Sequence, residues 1–190
     1  VSVTLYIPNT AVLGDHSNTG ILSLPASNIL TKYESDNNGL QNIKSIVNTT
    51  SALLALRNNG KVFSWGSSEF GNTGGYITLN ISGGTNIYAL ENNMTFGVLN
   101  SSNTFYIFGY NSNTSSAFTQ SYTNIQGVYH NTKAFALLKG TSSPYELQTY
   151  GDESYGGTYD VSSVGETINN ITNIYPCNFG FVAIASSKIY

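Results

Sequence analysis

Short apolar runs separated by polar turns recur along the chain, and none is long enough to span a membrane. The run "ALLAL" at 52–56 stops at the polar residues 58–60 and resumes as "KVFSW" at 61–65. An Asn-Gly step between two apolar runs predicts a β-hairpin, because Asn59 and Gly60 both tolerate the positive φ of a tight primed turn. The many β-branched and aromatic residues in these runs favour strands over helices.

The same pattern returns at regular intervals. An Asn-Ile dipeptide precedes a strand-like run at Asn42, Asn86, Asn124 and Asn173, at spacings of 44, 38 and 49 residues. A further short apolar strand follows each of these anchors, at 52–56, 95–99, 134–138 and 181–184. We therefore expect the strands centred on Leu54, Val98, Leu137 and Ala183 to occupy equivalent positions in successive repeat units.

An aromatic-glycine pair closes the strand after the turn in three of these units. The pairs are Trp65-Gly66, Phe108-Gly109 and Tyr150-Gly151, and they lie 23, 22 and 26 residues beyond their anchors. A repeat of about 44 residues that contains several short strands predicts a β-propeller blade.

The anchors divide the chain into about four units. We predict units at 42–85, 86–123 and 124–172, and the start of a further unit at 173–190. Residues 1–41 are expected to hold the tail of a preceding unit, because Gly14 and the Asn-Thr-Gly at 18–20 parallel Gly66 and 72–74. We also expect the protein to continue past both ends, or other chains to cover the bare sheet edges.

The stretch from residue 51 to 75 resembles the regulator of chromosome condensation repeat. The family signature is an apolar strand, an Asp/Asn-Gly turn, a Trp-Gly pair and then spaced glycines, which correspond here to Asn59, Gly60, Trp65, Gly66, Gly71 and Gly74. The copies around Phe108-Gly109 and Tyr150-Gly151 are weaker. A histidine common in the family is missing throughout, since the aligned positions are Ala52, Thr95, Ala134 and Gly180.

This resemblance implies an all-β fold of propeller blades, with seven blades in the complete ring. It also implies that the aromatic side chain wedges between neighbouring sheets, and that the following glycine lets the backbone pass closely or take a positive φ. Some family members are exchange factors for small GTPases. No loop here matches the loop that those proteins insert beside the nucleotide, so exchange activity stays the least favoured alternative.

Composition narrows the classes of partner. Only 9% of the residues are charged, and the net charge of −3 leaves seven scattered basic residues without a cluster. Nucleic-acid binding needs clustered Lys and Arg to neutralise phosphates, so we predict no nucleic-acid partner and no membrane insertion. Cys177 is the only cysteine, so the chain forms no internal disulfide.

Few residues offer candidate catalytic or ligand chemistry. The glycines after Trp65 lack the lysine of a phosphate loop, since no lysine lies between Lys61 and Lys133. The remaining candidates, which lack metal-ligand or calcium-loop spacing, are Asp15-His16, His130, Asp152-Glu153 and Asp160, with Cys177 far away in sequence. We interpret them as turn and surface residues, and predict no catalytic, cofactor-binding or metal-binding residue.

Tyrosine is unusually abundant, and nine of the 14 tyrosines lie in the middle of the chain, between Tyr88 and Tyr159. Tyrosine is enriched at interfaces, although packing between strands and blades accounts for most such residues. The leading hypothesis is a non-catalytic interaction or scaffold module whose partners are other protein chains or the rest of the propeller. The alternative is a glycan-binding propeller, which would show exposed tyrosines paired with Asn at several blade mouths.

Overall fold

The computed structural model describes residues 43–49, 52–66, 81–91, 95–111, 116–159, 168, 170–186 and 188–190. Within these ranges, thirteen β-strands form four antiparallel sheets, and the strands of each sheet are neighbours in chain order. The predicted all-β fold of blade-like sheets is therefore confirmed.

Each sheet is a meander of short strands. Sheet 1 holds β1 (Ile43–Asn48), β2 (Ala52–Arg57) and β3 (Val62–Gly66). Sheet 2 holds β4 (Gly84–Leu90), β5 (Thr95–Asn100), β6 (Phe105–Asn111) and β7 (Ser116–Tyr122). Sheet 3 holds β8 (Ile125–His130), β9 (Ala134–Lys139) and β10 (Glu146–Gly151), and a 3₁₀ turn (Glu153–Tyr155) follows it. Sheet 4 holds β11 (Ile171–Cys177), β12 (Gly180–Ala185) and β13 (Lys188–Ile189).

The four strands expected to be equivalent are each the second strand of a separate sheet. Leu54 lies in β2, Val98 in β5, Leu137 in β9 and Ala183 in β12, and none of these strands pairs with another of the four. Their register also agrees, because β2, β5, β9 and β12 begin at Ala52, Thr95, Ala134 and Gly180. The predicted equivalence of these strands is confirmed.

The first strand of every sheet contains one extra residue that interrupts the pairing with the second strand. These bulges fall at Lys44, Thr85, Gln126 and Thr172, at spacings of 41, 41 and 46 residues. A bulge bends and twists its strand locally, so its recurrence marks the same structural position in each unit. The bulge therefore defines the repeat more regularly than the Asn-Ile dipeptide does.

The Asn-Ile anchors occupy two different structural positions. Asn124 directly precedes β8, whereas Asn86 and Asn173 lie just after the bulges of β4 and β11. The residues that correspond to Asn124 are Gly83 and Asn170, and all three have a left-handed φ of 58–69°. Gly and Asn both adopt this conformation, so the backbone geometry is the same at the three positions although the residue type differs. The unit boundaries stay predictions, and we propose counting each unit from this left-handed residue.

The hairpin between β2 and β3 differs from the predicted two-residue primed turn. Arg57 N donates to Lys61 O at 2.9 Å and Gly60 N donates to Arg57 O at 3.0 Å, which leaves a loop of three residues. Gly60 takes a left-handed φ of 79°, and Asn59 does not. The extra residue, Asn58, produces this difference, because a three-residue hairpin needs only one left-handed position.

The sheets pack face to face, which leaves each with a rear face towards the preceding sheet and a forward face towards the next. The forward face of sheet 1 (Val47, Leu54, Leu56, Val62) meets the rear face of sheet 2 (Ile87, Phe96, Val98, Phe108). The forward face of sheet 2 (Tyr88, Leu99, Phe105) meets the rear face of sheet 3 (Val128, Phe135, Leu137, Tyr150). The forward face of sheet 3 (Tyr129, Ala136, Leu138, Leu147) meets the rear face of sheet 4 (Ile174, Phe181, Ala183, Ala185).

These three seams contain most of the described apolar core, and Ala55 and Phe63 are buried on the rear face of sheet 1. Fully burying one Leu or Phe side chain contributes about 1.5–3 kcal/mol, so most of the stability of the sheets comes from contacts with their neighbours. Backbone hydrogen bonds cross two of the seams at equivalent places. Gly84 N donates to Gly60 O at 2.9 Å, and Ile125 N donates to Asn103 O at 2.8 Å.

Candidate interaction surfaces

The aromatic-glycine pairs occupy one repeated position in the sheets. Gly66, Gly109 and Gly151 pair with Ala52, Thr95 and Ala134, the first residues of the second strands. Phe108 is fully buried in the seam between sheets 1 and 2, and Tyr150 is partly buried in the seam between sheets 2 and 3. The side chain of Trp65 lies outside what the structure describes, as do Gly71, Gly74, Asp15, His16 and Asp160.

Two glycines of the signature are required by close backbone contacts. A Cβ on Gly60 would lie 2.8 Å from Gly83 Cα of the next sheet, and a Cβ on Gly151 would lie 2.7 Å from Ala134 Cα. Both residues also have positive φ, at 79° and 134°. The glycines at these two places therefore serve the joints between strands and sheets, and no phosphate-binding loop is needed to explain them.

An aromatic cluster fills the seam between sheets 2 and 3. The Tyr88 ring lies 5.7 Å from that of Phe105 and 5.9 Å from that of His130, and Phe105 and Phe135 are 5.2 Å apart, all edge to face. Burial raises the pKa of Tyr88. Burial, together with the nearby Tyr122, raises the pKa of Tyr150 to about 12. These shifts follow from packing, since a phenolate loses hydration in such a site.

Asn131 joins sheets 3 and 4 at the end of β8. Its Oδ1 accepts from Lys133 N at 3.0 Å and from Ala134 N at 2.9 Å. Its Nδ2 donates to Tyr155 O at 2.9 Å and to Gly180 O of sheet 4 at 3.4 Å. The side chain thus fixes the turn into β9 and also holds two segments beside it.

The loop after Tyr150-Gly151 carries acidic residues that the sequence identified as candidates. Asp152 caps the 3₁₀ turn by accepting from Ser154 N at 2.9 Å, and its other oxygen lies 3.5 Å from Lys133 Nζ. The same ammonium group sits 4.3 Å from the centre of the Tyr155 ring. Glu153 is exposed within the turn. These contacts make Asp152 a structural cap at the junction of sheets 3 and 4.

A cavity of about 330 Å³ opens where the ends of β4, β8 and β11 converge. Its polar lining comes from Glu91, His130, Asn131, Thr132, Cys177 and Asn178. His130 and Cys177, which are far apart in sequence, therefore line one opening at the ends of neighbouring first strands. The cavity presents a carboxylate, an imidazole, a thiol, a hydroxyl and an amide, and its size is at the lower end of the range for small-ligand sites.

Among the described residues, no three His, Cys, Asp or Glu side chains are grouped so that they could hold a metal ion. In the same part of the chain, no helix is long and apolar enough to cross a bilayer.

Sheet 4 is covered on its rear face but has exposed apolar residues on its forward face. Tyr175 is 51% exposed, Val182 37% and Ile189 75%, and Ile184 is partly buried beside them. Register identifies their counterparts in sheet 1 as Val47, Leu54, Val62 and Leu56, which pack beneath sheet 2. The forward face of sheet 4 is thus an apolar surface of the type that the next sheet covers at each of the three seams.

The rear face of sheet 1 is exposed at one residue and buried at its neighbours. Ile46 is 45% exposed, whereas Ala55 and Phe63, which lie beside it on the same face, are buried. The counterparts of Ile46 in the other sheets, Ile87, Val128 and Ile174, pack against the forward face of a preceding sheet. The sequence pattern placed these residues in strands but did not say which of the two faces each would line. That assignment depends on the bulge register, which becomes visible only in the pairing of the strands.

Most described tyrosines pack between sheets. Tyr88, Tyr122, Tyr129, Tyr145, Tyr150 and Tyr159 are partly buried and contact the seam clusters. Tyr175 differs, because it is exposed and its hydroxyl accepts from Asn173 Nδ2 at 2.8 Å. Within the described residues with assigned burial, Tyr175 is the single exposed tyrosine.

Several solved structures are similar to part of this chain. No family model matches the chain, and no curated protein matches it. Human WBSCR16 is similar at 17% identity over 58% of this chain and 34% of that chain, with a TM-score of 0.42. Prp20p from Saccharomyces cerevisiae, described with its binding properties to Gsp1p and histones, is similar at 12% identity over 76% and 43%, with a TM-score of 0.47.

Yeast RCC1 (Prp20) bound to Kap60 is similar at 11% identity over 77% of this chain and 42% of that chain, with a TM-score of 0.48. The chain therefore spans less than half the length of the matched chain in each of these three structures. The similarity is to part of a propeller of the regulator of chromosome condensation type. It is a similarity of fold alone.

Proposed function

We propose that this chain is a non-catalytic protein-interaction module of propeller-type blades, which forms a structural part of a larger protein or assembly. The observation that carries the proposal is the forward face of sheet 4, where Tyr175, Val182 and Ile189 are exposed side by side. Contiguous exposed apolar surface marks interaction sites, because leaving it in water forfeits the free energy of burial.

The distribution of tyrosine supports a protein partner over a glycan. A glycan-binding propeller would present exposed tyrosines beside Asn at several blade mouths, where rings stack on sugars and amides bond hydroxyls. The described tyrosines with assigned burial contact the seams or are partly buried, except Tyr175, which pairs with Asn173. Nucleotide exchange on a small GTPase is not part of this proposal.

Site-directed photo-crosslinking tests the proposal. A photoreactive residue placed at Val182 should capture polypeptide in a native extract, whereas the same residue at Ser142, in the exposed β9–β10 loop, should not. Equal capture from both positions would contradict a specific surface. Retention on immobilised oligosaccharides that is lost in Tyr175→Ala would support the glycan alternative instead.

A further inference from the structure

We propose that the cavity where the first strands of sheets 2, 3 and 4 end binds a primary ammonium group carried on a short alkyl chain. This inference goes beyond the proposed interaction module, because it does not depend on what covers the forward face of sheet 4. It starts from the way in which the repeat builds the cavity. Each of the three sheets contributes residues from the same three-residue segment, which is 89–91 in sheet 2, 130–132 in sheet 3 and 176–178 in sheet 4.

The third position of each segment carries a side chain with an oxygen acceptor. The residues there are Glu91, Thr132 and Asn178, so a carboxylate, a hydroxyl and an amide from three successive sheets line one cavity. All three residues are exposed, and within the described part of the chain their side chains make no hydrogen bond or ion pair. A primary ammonium group has three N–H donors and no acceptor, so it matches one acceptor from each sheet.

The charge of the lining favours a cation over a neutral ligand. Among the described lining residues, Glu91 carries the single carboxylate, and none is a lysine or an arginine. Lys133 follows the lining segment of sheet 3, but its Nζ lies 3.5 Å from Asp152 Oδ2 and 4.3 Å from the centre of the Tyr155 ring. Since a hydrogen bond between two charged groups is about twice as strong as a neutral one, Glu91 should select an ammonium group over a hydroxyl.

The rest of the lining is held in place by contacts that a ligand does not need to break. The His130 ring lies edge to face with Tyr88 at 5.9 Å, and its Nδ1 is 3.3 Å from Asn131 O. A neutral ring that donates from Nδ1 keeps Nε2 as a further acceptor. Ala89 and Pro176 supply apolar lining, which suits an alkyl chain. A cavity that is already formed lowers the cost of ordering on binding.

Cys177 reports directly on occupancy, because it lines the cavity, is exposed and is the only cysteine of the chain. The test is the rate at which methyl methanethiosulfonate, a neutral thiol reagent, modifies the full chain at pH 8, where an alkyl ammonium group stays charged. n-Butylamine should slow this reaction, as followed by mass spectrometry, with half-maximal protection at about 1 mM. n-Butanol and butyrate at the same concentration and ionic strength should not, since neither carries a positive charge.

Variants of the acceptors show whether these residues hold the ammonium group. Glu91→Gln removes the charge at constant size and should raise the half-maximal concentration by about tenfold, whereas Thr132→Val removes one hydroxyl and should raise it by about threefold. Glu153→Gln is the matched control, because Glu153 is an exposed carboxylate outside the cavity lining, and it should respond like the unmodified chain. All three positions are exposed, so the variants should keep the far-UV circular dichroism of the unmodified chain.

Three results would overturn the inference: no protection by n-butylamine in the millimolar range, equal protection by n-butanol, or an unchanged response in Glu91→Gln. Protection by calcium chloride that n-butylamine does not match would assign the oxygen acceptors to a metal cation and would overturn it as well. None of these results changes the outcome of crosslinking from position 182, which tests the proposed function separately.

An ammonium group can come from a free amine or from the lysine side chain of another protein. The peptide acetyl-Gly-Lys-Gly-amide distinguishes the two sources. Protection by this peptide at a lower concentration than n-butylamine requires would support the ammonium site and identify a protein lysine as its ligand. Protection only at a higher concentration would support the same site with a free alkyl amine as its ligand.

Discussion

Sheets 3 and 4 share their register residue for residue but differ in what covers them. Both have a bulged first strand, a turn into the second strand and an apolar forward face. In sheet 3, that face includes Ala136 and Leu138 and is buried beneath sheet 4, whereas in sheet 4 its counterparts Val182 and Ile184 reach solvent or are partly buried. The residues on the uncovered face have not become polar. The amino-acid pattern thus still encodes a contact surface there.

The rear-face phenylalanines of the two sheets give the largest expected difference in stability. Phe135 in β9 is fully buried, and its counterpart Phe181 in β12 is partly buried beside Gly156. Phe135→Ala should lower the free energy of unfolding by about 3–5 kcal/mol, because it removes a packed ring from the seam. Phe181→Ala should cost about 1–2 kcal/mol, since part of its ring is already in water.

Urea unfolding at micromolar protein concentration measures both variants. Equal losses for the two substitutions would mean that sheet 4 is packed as tightly as sheet 3, and the contrast between the sheets would fail. The m-value should stay constant, because a change in m indicates altered compactness of the unfolded chain or loss of two-state behaviour.

Asn131 tests how firmly sheet 4 is attached to sheet 3. Asn131→Asp keeps the oxygen that accepts from Lys133 N and Ala134 N but replaces the Nδ2 donor to Tyr155 O and Gly180 O. We expect a loss of about 1–3 kcal/mol, because two carbonyl oxygens then face a carboxylate. Asn178→Asp, in the exposed β11–β12 turn, is the matched control and should change stability by less than about 0.5 kcal/mol.

A loss confined to sheet 4 would show in hydrogen exchange. Amides of β11 and β12 should exchange faster in Asn131→Asp, while those of β5 and β6 should not. Uniformly faster exchange would indicate that all four sheets unfold as one unit, in contrast to the nearest-neighbour behaviour of repeat proteins.

The sequence predicted the strands and their equivalence, but not the way in which the sheets meet. The apolar runs around Leu54 and Leu137 are continuous, so periodicity located the strands without separating the forward face from the rear. Aligning the units by their Asn-Ile dipeptides shifts the second and fourth units by three residues. The left-handed residue that corresponds to Asn124 is Gly83 in the second unit and Asn170 in the fourth. The sequence did not predict the three-residue hairpin loop at 58–60, because Asn58 is equally compatible with the end of a strand and with a turn.

The cavity at the ends of the first strands was also outside the reach of sequence patterns. His130 and Cys177 belong to different units, and neither has a nearby ligand in sequence. They line the same opening because the ends of β8 and β11 lie at one edge of adjoining sheets. Recognising the repeated bulge would have placed Asn131 and Cys177 at equivalent positions and indicated this convergence.

Ionisation of Tyr150 should weaken the covered seam at high pH. The pKa of Tyr150 is raised to about 12 in the folded chain, mainly by burial, against 10.0 for an ordinary tyrosine. The stabilising contribution of the protonated form is complete below pH 10 and is lost as the pH rises from about 10 to about 12. Tyr150→Phe should therefore lose less stability than the unmodified chain over that interval, as measured by urea unfolding between pH 9 and about 12. Parallel profiles of the two proteins would show that this tyrosine does not titrate within the seam.

The smallest expected effect on stability is that of a substitution at Ile189, which is compared with its counterpart Val62 in the third strand of sheet 1. Val62 in β3 is 5% exposed, and its counterpart Ile189 in β13 is 75% exposed. Val62→Thr buries a hydroxyl in an apolar seam and should cost about 1–3 kcal/mol, whereas Ile189→Thr should change stability by less than about 0.5 kcal/mol in dilute solution. Equal costs for the two substitutions would show that the forward face of sheet 4 is covered as fully as that of sheet 1.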